Sequence, residues 1–412
     1  MKITGIRTEA GSFGTRFAAT VAWEDSARPP VEIWWDIPDE LAADARPDPN
    51  AFLAAAFVPA FRHGEGRIAI EGTVCPLLGR GLHGIAQLLG SWWPGRAPAP
   101  VVEPAEGWSA AIPPSRPAAA GYLTGGVDSL HLLFSNLEDF PADHPERFSH
   151  ALWIRGLDYP GAEEGDWARS QYARLEPVLS DLASSAGVRL APVTTNLRRL
   201  EPDLSFLAYE YLAAALLSGA HLLTRKFSTV AVASSFPAER LPRWGTHPLI
   251  DRRLGSGGLF VRHAALGIGR IEKLARLRGR TDVLARLISC SNAPAGETLN
   301  CGHCTKCVRT LLEMEASGTL ADARSFPAGE VTAATIAPLE IDGPTDYFWG
   351  RIVAPLRAAG REEVAAAIER KIRETIRHRR RVEGLDWTGA IRRFDRNVLG
   401  GRIKKTYRRI SG

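Results

Sequence analysis

The sequence predicts an α/β protein built on a parallel sheet with helices on both faces. Strand-like and helix-like runs alternate from about residue 119, and a Gly-Gly turn joins the first strand to the first helix. A proline- and alanine-rich linker over residues 94–118 separates this domain from a small N-terminal α+β domain over residues 1–93. A basic helical region over residues 319–412 follows the main domain, which spans residues 119–318.

The N-terminal segment has apolar alternation but no catalytic spacing. Trp34 and Trp35 are interpreted as core or interface residues, and Cys75 as a small buried hydrophobic residue. The predicted elements are strands over residues 17–23, 31–37 and 67–74, a helix that starts near Asp48, and a helix over residues 77–93.

The main domain alternates strands and helices along the chain. Its longest apolar stretch, residues 211–223, is too short to span a bilayer, and the first residues form no apolar leader. We therefore expect a cytoplasmic protein that does not enter a membrane. The predicted elements are strands at residues 119–123, 150–157, 188–194 and 229–234, and helices at residues 127–133, 167–186 and 206–223.

The stretch around residues 124–129 has the composition of an anion-binding turn. A glycine pair between a strand and a helix lets backbone N–H groups point at a phosphate. Thr124 and Ser129 add hydroxyl donors, and Asp128 adds a carboxylate that can hold Mg²⁺. The chain has no GxxxxGK[ST] string, so this is not a Walker loop. An ordinary strand–turn–helix is the alternative interpretation.

This stretch resembles the PP-loop signature, SGGxDS, of the ATP pyrophosphatases, also called adenine nucleotide α-hydrolases. The resemblance implies a HUP-like nucleotide-binding fold and cleavage of ATP between its α and β phosphates, with Mg²⁺ as cofactor. It also implies an adenosine contact at the end of the second strand, near Gly156, Leu157 and Asp158. The residues that carry the resemblance, with threonine in place of the first serine, are Thr124, Gly125, Gly126, Val127, Asp128 and Ser129.

Two basic residues further along the chain fit the same chemistry. Arg270 and Lys273 are three apart on a predicted helix and therefore share a face. The resemblance implies that cations near this position stabilise the pyrophosphate as it leaves. A solvated helix face is the alternative interpretation.

Four cysteines are crowded into a short stretch and predict a metal site. Three of them have two-residue spacing and the fourth lies upstream, an arrangement that can place four thiolates around one Zn²⁺. Because all four ligands are sulfur, the ion has a structural role, and His303 is an alternative ligand that the site does not need. An iron–sulfur cluster is the rival interpretation. The ligands are Cys290, Cys301, Cys304 and Cys307.

Together with the loop, this cysteine pattern resembles 7-cyano-7-deazaguanine synthases, a branch of the same superfamily. The resemblance covers residues 119–318 only, and the Cys290–Cys301 spacer, the N-terminal domain and the tail all depart from it. It implies a relative with its own acceptor, a protein or a small molecule. Such relatives occur in defence and specialised-metabolite operons, so a protein encoded in the same operon is a candidate partner.

The C-terminal region is the basic part of the chain. Residues 361–412 hold 16 Lys and Arg against 7 Asp and Glu, and residues 361–381 predict a helix with acids early and bases late. A solvated helical tail is the interpretation we adopt, and a tRNA-binding tail is the alternative. The bases continue through Arg392, Arg393, Lys404, Lys405, Arg408 and Arg409, with Trp387 and Phe394 interleaved.

The leading functional hypothesis is an ATP-dependent adenylating enzyme that forms a C–N bond. A substrate oxygen would attack the α-phosphate, and a nitrogen nucleophile would then displace AMP. One alternative is a tRNA-modifying enzyme of the same fold, for instance one that thiolates tRNA and binds it through the tail. Another is a nucleotide-binding subunit without catalytic turnover. The sequence predicts neither the acceptor, the nitrogen donor nor the oligomeric state.

Overall fold

The computed structural model describes residues 1–109, 118–157, 165–290, 298–341 and 345–383, with side chains described as far as Arg377. These residues form two compact units. The first unit comprises Met1–Trp92 and Ala97–Gly267, and the second comprises Trp93–Arg96 and the described chain from Ile268 onward. The bases of the predicted tail beyond residue 383 lie outside the described residues.

The first unit is organised around a ten-stranded sheet. Its strands lie in the order β10-β9-β6-β7-β8-β3-β2-β1-β4-β5. Their bounds are β1 Lys2–Gly11, β2 Gly14–Ala22, β3 Val31–Ile37, β4 Arg67–Ile70, β5 Val101–Pro104, β6 Ala119–Tyr122, β7 Phe148–Arg155, β8 Arg189–Thr195, β9 Thr229–Ala233 and β10 Phe260–Ala264.

Most neighbouring strands in this sheet are parallel, which confirms the α/β class. The strands β6 to β10 pair in parallel throughout, and β1, β4 and β5 do the same. The antiparallel pairs are β1–β2, β2–β3 and β3–β8. All four residues of β6 are buried. Because successive residues face opposite sides, both faces of this strand are covered.

The parallel half of the sheet contains a reversal point, where the order in which strands are added to the sheet changes from one side to the other. From β6 the chain moves outward to β7 and β8, then returns to the other side of β6 with β9 and β10. The loops that follow β6 and β9 therefore leave neighbouring strands toward different sides. In open α/β sheets, this position at the carboxyl ends of the strands is where ligands bind.

Helices cover this sheet. Helix α4 contacts β6, β7 and β9, and α5 contacts β7 and β8. The helices of this unit are α1 Asp39–Ala42, α2 Pro49–His63, α3 Pro76–Trp92, α4 Val127–Asp139, α5 Asp166–Ser185, α6 Leu204–Phe206, α7 Leu212–Leu217 and α8 Pro248–Asp251, with 3₁₀ turns at Leu197–Arg199, Ala238–Arg240 and Arg252–Leu254.

One helical run of the first unit matches the helix predicted over residues 206–223 and starts two residues earlier. A π-helical turn, Leu207–Tyr211, joins α6 to α7, and a 3₁₀ turn, Ser218–Leu223, extends the run. The continuous run Leu204–Leu223 is long and apolar enough to cross a bilayer by length and composition alone, whereas the predicted apolar stretch began only at residue 211. Inside the protein, 78% of its apolar window is buried, as in a core helix.

Two features of the first unit differ from the predictions. The Pro-rich segment contains an edge strand, β5, because Val101 and Val102 pair in parallel with β4. Strands β1 and β10 were not predicted, since β1 is mostly polar and half-exposed and has no clean apolar alternation. The contact-defined units are divided at residues 93–96 and after Gly267, and the predicted domain boundaries near residues 93, 119 and 319 stay predictions. Strand β3 is hydrogen-bonded directly to β8, so one sheet contains strands of both the predicted N-terminal domain and the predicted main domain.

The second unit is helical over its described residues. Helix α11 starts directly after Cys304 and ends at Gly318, which has a left-handed conformation. The predicted helix over residues 361–381 is confirmed, as α14. Trp349 lies in the core of this unit with no exposed surface. The helices are α9 Arg270–Arg276, α10 Thr281–Leu284, α11 Thr305–Ser317, α12 Ala333–Ile336, α13 Asp346–Ala358 and α14 Glu362–Glu383, with a 3₁₀ turn at Leu320–Asp322.

Candidate phosphate-binding loop and metal centre

The loop of residues 124–129 lies at the reversal point of the sheet. Strand β6 ends at Tyr122, and α4 begins at Val127 with Gly126 as its N-cap. The N-cap residue makes no side-chain capping hydrogen bond, and the first N–H groups of an α-helix have no acceptor within the helix itself. Gly125 has a φ of 75°, in the left-handed region where a residue with a side chain is strained. The predicted succession of strand, glycine turn and helix is therefore present, and its binding of an anion stays a prediction.

Hydrogen bonds inside the loop fix its shape. The Ser129 hydroxyl accepts from the Thr124 amide at 3.2 Å and donates to the Gly126 carbonyl at 3.1 Å. It also lies 3.2 Å from the Thr124 hydroxyl. Ser129 is buried, Asp128 is half-buried and Thr124 is exposed. The structure thus brings the predicted loop residues together, with Ser129 fastening the turn and Thr124 facing solvent.

The backbone directly after β7 requires glycine at position 156. Gly156 has a φ of 99°, and a Cβ there would stand 1.8 Å from the Thr195 carbonyl oxygen. Its amide donates to the Tyr172 hydroxyl at 2.7 Å. Leu157 is buried. Asp158 lies outside the described residues, and the adenosine contact stays a prediction.

In the second unit, the four predicted ligands converge on one point. The sulfur atoms of Cys290, Cys301, Cys304 and Cys307 all lie within 4.8 Å of one another. The Cys301 and Cys307 sulfurs are 3.7 Å apart. Four thiolates at about 2.3 Å from one zinc ion have sulfur–sulfur separations of about 3.8 Å in a tetrahedron. The described geometry fits such an ion, and it is tighter than a cluster of several iron atoms between the sulfurs requires.

The surroundings of the sulfurs also fit a bound cation. Backbone amides donate to three of them, from Cys301 to Cys290 at 3.5 Å, from Cys304 to Cys301 at 3.4 Å and from Cys307 to Cys304 at 3.5 Å. Without a cation, the neighbouring Cys290 and Cys304 thiols raise the pKa of the Cys307 thiol, and burial adds to this rise. A divalent ion removes this penalty and favours the thiolates.

A buried asparagine holds the cysteine loop together, and sequence reasoning did not identify it. Asn300 has no exposed surface. Its side-chain amide donates to the carbonyls of Leu287 at 2.8 Å and Ser325 at 3.1 Å, while its oxygen accepts from the Ser289 amide at 2.6 Å. The only signal in the sequence is its position directly before Cys301. The ring of His303 bonds the Cys301 carbonyl at 2.9 Å, and His303 is not one of the converging ligands.

The two predicted leaving-group cations lie on α9 of the second unit. The Arg270 guanidinium lies 2.9 Å from the Glu313 carboxylate, which is itself almost fully buried. Lys273 has no exposed surface and takes part in its own interactions within the protein. The helical prediction is confirmed for both residues. Their role toward a phosphate stays a prediction.

Comparisons with protein-family models, with curated proteins and with solved structures give no match to this chain. The resemblance to PP-loop enzymes therefore depends on the loop and cysteine motifs alone.

Proposed function

We propose that the chain is an ATP-dependent enzyme that adenylates its substrate, with the phosphates of ATP held by the loop of residues 124–129. The observation that carries this proposal is the position of that loop. A glycine turn with an uncapped helix N-terminus follows the strand at the reversal point of the sheet. That combination supplies N–H donors where ligands of open α/β sheets bind.

The residues of the loop have different roles in binding a phosphate. The first amides of α4 and the Thr124 hydroxyl donate to phosphate oxygens, and the Ser129 hydroxyl keeps the turn in shape. Asp128 is the only carboxylate of the loop and is the residue that would hold Mg²⁺. When bound, Mg²⁺ neutralises charge on the phosphates. The loop has no lysine for the β and γ phosphates and is therefore not a Walker loop, and chemistry at the α-phosphate is what its resemblance to the PP-loop implies.

The proposed reaction balances without a further cofactor. A carboxylate or carbonyl oxygen of the acceptor attacks the α-phosphorus, the bond to the bridging oxygen breaks, and pyrophosphate leaves. A nitrogen nucleophile then adds to the activated carbon, and AMP leaves with the oxygen. The loop orients the α-phosphate and stabilises its charge.

Arg270 and Lys273 are not required by this proposal. Arg270 is already paired with Glu313, and Lys273 is enclosed in its own unit. The cysteine centre has a structural role in the proposal: four sulfur ligands leave no open position on a zinc ion. The tRNA-modifying alternative depends on the tail beyond residue 383, which lies outside the described residues.

The products formed from ATP test this proposal. The full chain is incubated with MgATP and a small-molecule extract as the acceptor source, and nucleotides are separated by chromatography. The proposal predicts AMP and pyrophosphate in equal amounts. Asp128→Ala should lower the rate about 100-fold or more, because the metal-holding group is lost. Asp139→Ala, an exposed change at the other end of the same helix, should not alter it. Release of ADP and phosphate by the wild-type chain would refute the proposal.

A further inference from the structure

A large cavity lies in the first unit, at the opposite end of the parallel strands from the loop of residues 124–129. Its volume is about 1010 Å³. It is bounded by Ser228, directly before β9, and by Phe260, the first residue of β10. One wall is the outer face of α3, and the other is the glycine-rich turn of residues 255–259. The loop of residues 124–129 follows the carboxyl end of β6, so the two places are separated by the length of these strands.

The lining of this cavity carries positive charge on one side and apolar surface on the other. Arg80, Arg252 and Arg253 line it, and no carboxylate is among its described lining residues. All three arginines are exposed. Leu77 and Phe260 also line it and leave 59% and 49% of their surfaces exposed. Large apolar side chains with this much exposed surface, next to arginines and no lining carboxylate, are typical of a binding surface.

The cavity is formed where α3 packs closely against the 3₁₀ turn Arg252–Leu254. A Cβ on Gly81 of α3 would stand 2.0 Å from the Arg253 carbonyl oxygen, so only glycine lets these elements approach. The glycines from Gly79 to Gly84 have the GxGxxG spacing of dinucleotide-binding loops. They lie inside α3 instead of at a strand-to-helix turn, so they serve packing and not phosphate binding.

The turn that forms the other wall is held in one shape. The Ser256 amide donates to the Leu259 carbonyl at 2.9 Å, and the Gly257 amide donates to the Cys75 sulfur at 3.3 Å. Its amides are thus engaged inside the protein. The charge that faces the cavity comes from arginine side chains, whose planar guanidinium groups match phosphate oxygens.

We propose that this cavity binds a small organic anion in which a phosphate is carried beside an aromatic ring, the class of aryl and nucleoside monophosphates. The guanidinium groups of Arg80 and Arg252 bind the phosphate, and the ring lies on Phe260 and Leu77. The cavity volume accommodates a ligand of this size. The site is distinct from the loop of residues 124–129 and does not depend on the adenylating activity.

Binding of 1-naphthyl phosphate to the full chain tests this proposal. The probe has a ring and a phosphate but neither adenine nor pyrophosphate, and its titration is followed by calorimetry. We expect saturable binding that is at least tenfold tighter than that of inorganic phosphate or 1-naphthol. The double variant Arg80→Gln/Arg252→Gln should bind at least tenfold more weakly. Arg225→Gln, which changes an exposed arginine that does not line the cavity, should leave the affinity unchanged.

Several outcomes would overturn the proposal. Equal affinity in the wild-type chain and the double variant would do so, as would an equal loss in Arg225→Gln. Loss of probe binding in Asp128→Ala would place the probe at the phosphate-binding loop instead. Binding of a single-stranded oligonucleotide without binding of the probe would assign the surface to a nucleic acid. Failure of AMP formation from ATP would refute the adenylating function and leave this site unaffected.

Discussion

At the scale of single residues, backbone geometry explains Gly156 without any ligand. Because its φ is positive and the Thr195 carbonyl stands where a Cβ would be, any side chain here must displace β8. We predict that Gly156→Ala lowers the free energy of unfolding by about 3 kcal/mol or more. Urea denaturation measures it. Gly267→Ala, at a glycine with open space around it, is the matched control and should cost little. A stable Gly156→Ala chain would contradict this account of the residue.

Buried histidines make stability depend on pH. Burial, together with the nearby charges of Arg189 and Lys226, lowers the pKa of His150 from 6.5 to about 4. The unfolded chain therefore takes up the proton more readily than the folded chain. The neutral ring contributes its full stability above about pH 6.5, and this is lost as the pH falls toward 4. The pKa of His247 is lowered to about 4 as well, mainly by burial.

A substitution isolates the contribution of one ring. Between pH 7 and pH 5, His150 should cost the wild-type chain about 2 kcal/mol of stability. His150→Gln removes the titrating group. From pH 7 to pH 5, the free energy of unfolding of this variant should therefore fall by about 2 kcal/mol less than that of the wild-type chain. Urea denaturation of both chains at the two pH values measures the difference. Parallel pH profiles would show that His150 is not held neutral by the fold.

At the scale of elements, the cysteine centre fastens the start of α11. Cys304 caps this helix, and Cys307 lies in its first turn. Because the fold of such a segment is coupled to its metal, we predict that Cys301→Ser removes bound zinc and lowers stability by more than about 4 kcal/mol. Metal content by mass spectrometry and thermal unfolding measure the two effects. The fifth cysteine supplies the control, since Cys75→Ser should retain one zinc per chain. Iron with acid-labile sulfide in the purified protein would contradict the zinc assignment.

The elements that could be predicted from the sequence were those with a strong local signal. Helix α2 starts as expected because Asp48 accepts a hydrogen bond from the Asn50 amide, and α11 stops at a left-handed Gly318. The cysteine ligands could be found because three of them have the two-residue spacing typical of a zinc site, with a fourth cysteine close upstream. Asn300 could not be found, since its role depends on carbonyls of Leu287 and Ser325 that come near it only after folding.

At the scale of the whole molecule, the unexpected feature is the continuity of the sheet in the first unit. The side chain of Asn196 accepts from the Trp34 amide at 2.9 Å, and the Thr195 hydroxyl donates to the Trp34 carbonyl at 2.7 Å. These contacts join β3 to the end of β8 over a sequence separation of about 160 residues. No local pattern in the sequence encodes such a pairing, so the sequence favoured two separate domains instead.

This continuity predicts the result of a truncation. A chain that begins at residue 110 loses β1 to β5 and leaves β8 as an exposed edge strand. We expect it to be insoluble or to unfold without a cooperative transition. Soluble yield and thermal unfolding by circular dichroism, compared with the full chain, measure this. If the shorter chain instead folds with an unchanged midpoint, the N-terminal segment is an independent domain, as the sequence alone suggested.

The central claim is that the loop of residues 124–129 holds the phosphates of ATP. Calorimetric titration with the magnesium complex of α,β-methylene-ATP tests it most directly, because this analogue cannot be cleaved at the bond in question. We predict saturable binding to the wild-type chain and an affinity at least tenfold lower in Asp128→Ala, with Asp139→Ala unchanged. Equal affinity in the wild-type chain and Asp128→Ala, or no binding to the wild-type chain, would contradict the claim.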